Sequence, residues 1–179
     1  MIVNISESAV NLLDILTNNE ARVSRQQEWL KSHSLPLISF TINMPGPIKM
    51  NDASKKIFNH GLNAIVDVCR DNGWLIISRQ ILMQKTGPEA IFAVDISSAM
   101  DLKQSMINIE NNYPLGRLMD IDVIGKDGKI ISRKAKMLDS RKCLLCEENA
   151  VICARSRRHT LSSLMNKIYE ITFNDKYRY

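Results

Sequence analysis

The run Met119-Asp120-Ile121-Asp122-Val123 constrains this 179-residue chain more than any other segment. Alternation over residues 118–124 has the period of a strand with one dry face and one wet face. Met119, Ile121 and Val123 share the face that must be buried, and Asp120 and Asp122 project together from the other. The segment is also bracketed. Tyr113-Pro114-Leu115-Gly116 halts the helix before it, and Lys126-Asp127-Gly128-Lys129 is a hairpin turn that returns residues 130–133 alongside. A fold for this sequence therefore needs a helix, a break, an acid-bearing strand and a reversal, in that order.

The rest of the chain supplies further helices and strands. Residues 5–17 carry a helical apolar period with Ser6 or Ser8 as cap, and a more polar helix spans about 19–33 before Pro36. Residues 37–42 alternate as a strand and enter a loop with two prolines around Gly46. A helix capped by Asp52 or Ser54 runs to about 72, where Gly73 stops it. Strands are expected over 74–83 and 90–94 around a turn at 86–89. A helix begins at Ser97 or Ser98 and ends near 112, and a last one covers about 159–173. These elements predict an α+β fold: a single domain over 1–179, with a mixed or antiparallel sheet, flanking helices and a Cys/His-rich basic segment at 140–159.

Composition agrees. At 45% hydrophobic and 24% charged the chain can bury one core, which excludes a coiled-coil rod, a collagen-like chain and a disordered tail. No apolar run approaches the ~20 residues of a membrane span. Residues 1–7 lack a basic segment followed by an apolar one, so the expected location is cytoplasmic, with no membrane partner. Residues 126–158 hold ten Lys/Arg and four Asp/Glu, a balance of +6 in a chain of net charge +5. Such a segment suits a polyanion or an acidic protein, or is a solvated basic face.

Three groups of residues can carry chemistry. Paired acids on one strand face repel unless they share a cation or a proton, so Asp120 and Asp122 suit Mg2+ facing substrate phosphates; a plain solvated face gives the same string. Cys143, Cys146, Cys153 and His159 have the spacing Cys-x2-Cys-x6-Cys-x5-His and can close a Cys3His zinc tetrahedron. Buried thiols with His159 as a base or positioning residue, or a dithiol redox pair, are the other readings. Cys69, on an apolar helix face, belongs to the core. In the loop Asn43-Met44-Pro45-Gly46-Pro47-Ile48-Lys49, backbone can approach a ligand and Lys49 can meet a phosphate, unless the loop is only a connector. Among the arginines, Arg117 beside the acid pair, Arg133, and Arg155 and Arg158 beside Cys153 and His159 are candidate phosphate ligands.

The motifs fall in a recognisable order. Arg22-x2-Arg25-Gln26-Gln27 comes first, then Ser39-Phe40-Thr41-Ile42-Asn43-Met44-Pro45-Gly46-Pro47-Ile48-Lys49 and Thr86-Gly87-Pro88-Glu89-Ala90. Pro114-Leu115-Gly116-Arg117-Leu118-Met119-Asp120-Ile121-Asp122-Val123 follows, then Ser132-Arg133, Arg141-x-Cys143-x2-Cys146 and Cys153-Ala154-Arg155-Ser156-Arg157-Arg158-His159. Over roughly residues 15–172 this resembles the citrate lyase holo-acyl-carrier-protein synthase family, the phosphoribosyl-dephospho-CoA transferases. The resemblance implies transfer of a phosphoribosyl-dephospho-CoA group from 2′-(5″-triphosphoribosyl)-3′-dephospho-CoA to a serine of the apo acyl-carrier subunit of citrate lyase, with release of pyrophosphate.

In that reading Mg2+ on Asp120 and Asp122 neutralises the triphosphate. Arg117 and His159 stand with the acid pair as catalytic candidates. Asn43, Gly46, Lys49, Arg133, Arg155 and Arg158 are candidates for holding the donor, and zinc is a second candidate metal. A nucleotidyltransferase-like presentation of the acid pair is expected, with Asp95 as the candidate third carboxylate. Nucleic acid is not an expected partner. The competing reading is a zinc-stabilised basic module that binds nucleic acid or protein without catalysis.

Overall fold

The computed structural model describes residues 8–132 and 141–174. It is an α+β fold built on a four-stranded sheet. The strands are β1 (Leu37–Ile42), β2 (Leu75–Gln84), β3 (Gly87–Asp95) and β4 (Met119–Ile124), in the order β2-β3-β1-β4. Every neighbouring pair is antiparallel, so of the two sheet types expected the antiparallel one is found. The helices are α1 (Leu12–His33), α2 (Asp52–Asp71), α3 (Ala99–Asn112), the short α4 (Ala150–Arg155) and α5 (Leu161–Phe173). No helix among the described residues is long and apolar enough to cross a membrane.

The register sorts the side chains into two layers. Ile38, Phe92 and Val123 lie opposite one another across three strands, as do Phe40, Ala90 and Ile121. This face is buried against α2, α3 and α5, with Phe40 stacked on Phe58 at 5.0 Å between ring centroids. Cys69 lies in this core as expected, and burial pushes its thiol up to about 11. Leu37, Ile91, Ala93 and Ile124 form a smaller cluster on the other face, under Trp29 and Leu30 of α1.

Several elements differ from expectation. The two helices expected on either side of residue 18 are one helix, Leu12–His33, because Thr17-Asn18-Asn19 contains neither Gly nor Pro to stop it. Its cap is Asn11, not Ser8: the Asn11 side chain accepts from the Asp14 N–H at 2.9 Å while Asp14 accepts from the Asn11 N–H at 3.0 Å. Ser6 lies outside the described residues. The turn at 86–89 is instead the pair Lys85-Thr86, with Gly87, Pro88 and Glu89 already in β3. Pro88 is accommodated because the β1 ladder starts only at Thr41 opposite Glu89, so no β1 partner awaits its missing N–H. Of the return expected at 130–133, residue 133 lies outside the described residues, and among 130–132 the pairing is one bridge, Ile124 with Ile130. Helix α4, capped by the Asn149 side chain, was not expected from the periodicity.

Gly116 opens the short 3-10 turn Gly116–Leu118 that delivers β4. A Cβ built there would lie 2.3 Å from the Ile109 carbonyl oxygen and 2.7 Å from that of Glu110. Both belong to the last turns of α3 and cannot rotate away. Gly116→Ala is expected to lower unfolding free energy by more than about 2 kcal/mol, the upper half of the overpacking range. Urea denaturation measures this, and a midpoint equal to wild type would show that β4 tolerates a wider gap from α3.

Candidate active site

β4 is an edge strand, and its outer backbone groups need partners. Helix α3 supplies them with two buried ions. Glu110 accepts from the Ile121 N–H at 2.8 Å, and Lys103 Nζ donates to the Ile121 carbonyl at 2.8 Å. Glu110 is 1% exposed and Lys103 5%. Seven residues apart, they share one helix face. The Ile131 N–H closes the Val123 carbonyl at 2.9 Å.

The same two ions reach the acid pair. Lys103 Nζ lies 3.8 Å from Asp122 Oδ1. Arg141 bridges Glu110 and Asp120, meeting Asp120 Oδ1 at 3.1 Å. Asp120 and Asp122 point to the α1 side of the sheet, opposite Thr41 and Ser39, with side chains 48% and 45% exposed. Burial, then the charge of Asp120, holds the Asp122 carboxyl above its ordinary range. This is a half-open carboxylate pair, and its donor set fits a hard divalent ion. Asp95 is not its third acid. Thr41 pairs with both Asp120 and Glu89, and Asp95 lies six residues along β3 from Glu89, about 20 Å at strand rise. Glu110 is the third carboxylate beside the pair. It escapes a sequence reading because it lies on the preceding helix.

The loop after β1 stands between two cavities, and Asn43 lines both. Its N–H donates to the Leu118 carbonyl at 2.8 Å, tying the loop to the entry of β4. The larger cavity, about 780 Å³, has a cationic side with Arg117, Arg141 and Arg157 and an apolar side with Leu164 and Ile168. Gly46 lines it with φ +78°, and a Cβ there would lie 3.0 Å from Leu161. Lys49 lines the smaller cavity, about 350 Å³, and donates to the Met44 carbonyl at 2.5 Å; burial lowers its pKa. Arg155 and Arg158 do not line the larger cavity: Arg158 instead lies 3.8 Å from Glu148, and Arg157 takes the place expected of them. Arg133 lies outside the described residues.

Cys143, Cys146, Cys153 and His159 come together, all ligand atoms lying within 4.8 Å of one another. Cys146 Sγ is 3.9 Å from Cys153 Sγ and 3.3 Å from His159 Nε2. Zinc bonds of ~2.0–2.3 Å in a tetrahedron put ligands about 3.5–3.8 Å apart, so the group is compatible with Zn2+. Burial opposes ionisation of Cys143, but the N–H groups of Leu145 and Cys146 and the neighbouring thiols bring it down to about 6. Burial and the other thiols push Cys153 up to about 12.

Two contacts hold this group together. Arg117 Nη2 donates to the Cys143 carbonyl at 2.8 Å. At the end of α4, Arg158 N–H bonds the Cys153 carbonyl and Arg157 N–H that of Ala154, with Arg157 at φ +48°. This left-handed cap turns the chain so that His159 comes back to Cys153.

The smaller cavity has a wall that sequence reasoning missed. Glu89, 4% exposed, accepts from Asn18 Nδ2 at 2.5 Å and Arg22 Nη2 at 2.6 Å, with Arg25 Nη1 at 3.3 Å. Asn18, Arg22 and Arg25 stand at i, i+4 and i+7 on α1. That spacing is legible only once residues 12–33 are read as one helix.

The family described as apo-citrate lyase phosphoribosyl-dephospho-CoA transferase matches residues 10–175. The chain belongs to this family. A probable apo-citrate lyase phosphoribosyl-dephospho-CoA transferase of Vibrio cholerae serotype O1 (strain M66-2) is 52% identical over 164 residues, 92% of each chain. The transferase of Escherichia coli O7:K1 is 42% identical over 170 residues, 95% of this chain and 92% of that one. Membership disfavours the non-catalytic basic module. In this family member several charges of the basic segment are also already paired, Arg141 with Glu110 and Lys142 with Glu147 among them.

Burial opposes ionisation of Glu89, but Arg22, Asn18 and Arg25 outweigh it and lower its pKa from 4.5. Its charge therefore adds stability above the unfolded value, lost as pH falls through the lower folded one. Glu89→Gln is expected to cost about 2–3 kcal/mol at pH 7, less than a fully buried pair because the arginines are partly exposed. Urea unfolding between pH 7 and 3 should show the wild type converging on the variant below pH 4.5. A constant gap across that range would show that the fold leaves the Glu89 pKa where the unfolded chain has it.

Proposed function

We propose that this chain transfers the phosphoribosyl-dephospho-CoA group from its 5″-triphosphoribosyl donor to a serine of the apo acyl-carrier subunit of citrate lyase. The observation that carries the reading is the family match across residues 10–175. The geometry supports it: in a carboxylate pair backed by Lys103, Glu110 and Arg141, Asp120 lines the smaller cavity and its partner Arg141 lines the larger, and the two cavities share Asn43. The serine oxygen attacks the α-phosphorus, and the bond from that phosphorus to the bridging oxygen breaks. Pyrophosphate carries away the electron pair, and the serine proton passes to a carboxylate of the pair. Such transfer is mostly positioning and charge stabilisation, so no covalent enzyme intermediate is required.

Asp120 and Asp122 would hold Mg2+, which supplies charge neutralisation at the phosphates. Lys103 keeps Asp122 aligned, and Arg141 does the same for Asp120. The larger cavity suits the nucleotide and its arm: Arg117, Arg141 and Arg157 face anionic groups, and Leu164 and Ile168 offer apolar contact. Cys143, Cys146, Cys153 and His159 would hold Zn2+ as a closed structural site. His159 then uses its ring nitrogen as a ligand and is not the base. The presentation of the pair, an acid-x-acid strand after a helix and a glycine, suits a nucleotidyltransferase-like reading. The whole chain is read as one transferase domain.

Two experiments test this reading. Intact mass spectrometry of the apo carrier, incubated with the protein, the triphosphoribosyl donor and Mg2+, should record a gain equal to the prosthetic group. Asp120→Asn should cut the rate about 10²–10³-fold, the usual cost of removing one strong electrostatic contact. No mass gain with a competent carrier would sink the activity, and an unimpaired Asp120→Asn would sink the role of the pair. Separately, elemental analysis should find a single zinc per chain. Cys146→Ser should lose it and melt several degrees lower, whereas Asp120→Asn keeps it. A zinc-free, fully stable protein would remove the structural metal.

A further inference from the structure

Two residues that line the smaller cavity each carry a buried polar atom with no hydrogen-bond partner among the described residues: Arg22 Nε and Thr86 Oγ1. Each can donate, and leaving buried donors unmet is unfavourable, so such atoms need an explanation. A guanidinium has no lone pair, so only an acceptor can satisfy Arg22 Nε. Its orientation is already fixed, because Nη2 is bonded to Glu89 at 2.6 Å. Glu89 is in turn held by Asn18 and Arg25, so two cations offset its one negative charge. Lys49 is the second cation on the wall, beside Arg22, and uses one of its three N–H groups on Met44. The cavity, about 350 Å³, has Asp120 among its lining residues. It therefore reaches from unmet donors and cations to one carboxylate of the acid pair.

We infer that this cavity is a pyrophosphate site, in which Arg22 Nε and Thr86 Oγ1 donate to the phosphate oxygens beyond the scissile bond. The identity of the anion rests on the transferase reading above. With the α-phosphorus at the acid pair, the β- and γ-phosphates extend toward Arg22 and Thr86. When the α–β bond breaks, the charge that develops on the bridging oxygen is met by the Arg22 and Thr86 donors and by Lys49. The leaving group is thus held through departure by residues from α1 and the β2–β3 turn, while the larger cavity is left to the rest of the donor.

The test is isothermal titration of the full chain with sodium pyrophosphate and Mg2+, beside the transfer assay. Thr86→Val removes only the hydroxyl at nearly constant volume, and it should weaken pyrophosphate about fivefold. Thr86→Ser should restore wild-type affinity, which a packing effect would not do. Arg22→Gln should weaken binding about tenfold or more. Circular dichroism checks that each variant is folded, and Thr86→Val keeps the test decisive if Arg22→Gln is not.

Wild-type affinity in folded Thr86→Val and Arg22→Gln would overturn the assignment, as would transfer by a wild type that binds no pyrophosphate. Binding that depends on Thr86 and Arg22 in a protein that transfers nothing would leave the anion site standing and remove the transferase reading instead.

Discussion

The interaction on which the site depends is the closing of one strand edge by two buried charges. β4 has β1 on one side only, so Ile121 would expose an amide and a carbonyl. Glu110 and Lys103 satisfy both. Burying a lysine and a glutamate is costly unless each is fully bonded. Here each has a backbone partner and an opposite charge beyond it, Asp122 for Lys103 and Arg141 for Glu110. Edge protection and electrostatics are therefore one device. The ions that stop β4 from pairing with another chain also set the field around Asp120 and Asp122. Gly116 makes the device reachable, since α3 can approach β4 this closely only where the connecting turn carries no side chain.

A second chain of contacts joins the acid pair to the Cys/His group. Arg117 leaves the same 3-10 turn that delivers β4 and grips the Cys143 carbonyl. Arg141, two residues before Cys143, reaches back to Glu110 and Asp120. Residues 141–159 contain only six helical residues and a single bridge, with little apolar burial of their own. Their placement over the larger cavity rests on these two arginines and on the ligand group. A metal there would act at a distance from the reaction, by fixing the wall that carries Arg141, Cys143 and Arg157.

What the sequence disclosed followed how local each feature is. The alternation at 119–124, the cap at Ser98 and the stop near Gly73 depend on neighbours within a turn or two, and all were legible. So was the Cys/His group, because its four ligands lie within seventeen residues. The continuity of α1 was not legible, because a polar stretch reads as a surface helix. The reason for that polarity, Glu89, is 67 residues from Arg22. Glu110 was hidden for a related reason: a glutamate near the end of an amphipathic helix looks like a solvated residue until the strand it serves is known. Among three neighbouring arginines, only backbone geometry distinguishes Arg157 from Arg155 and Arg158.

That geometry sets the demands of folding and of binding against each other at one residue. A left-handed conformation at φ +48° suits glycine, and a side chain there costs about 1–2 kcal/mol. Directed evolution for heat resistance alone would therefore enrich Arg157→Gly, because the end of α4 folds more readily without the side chain. The same change removes a guanidinium from the wall of the larger cavity. Any programme to harden this protein has to leave that one backbone angle occupied by arginine and find its degrees elsewhere.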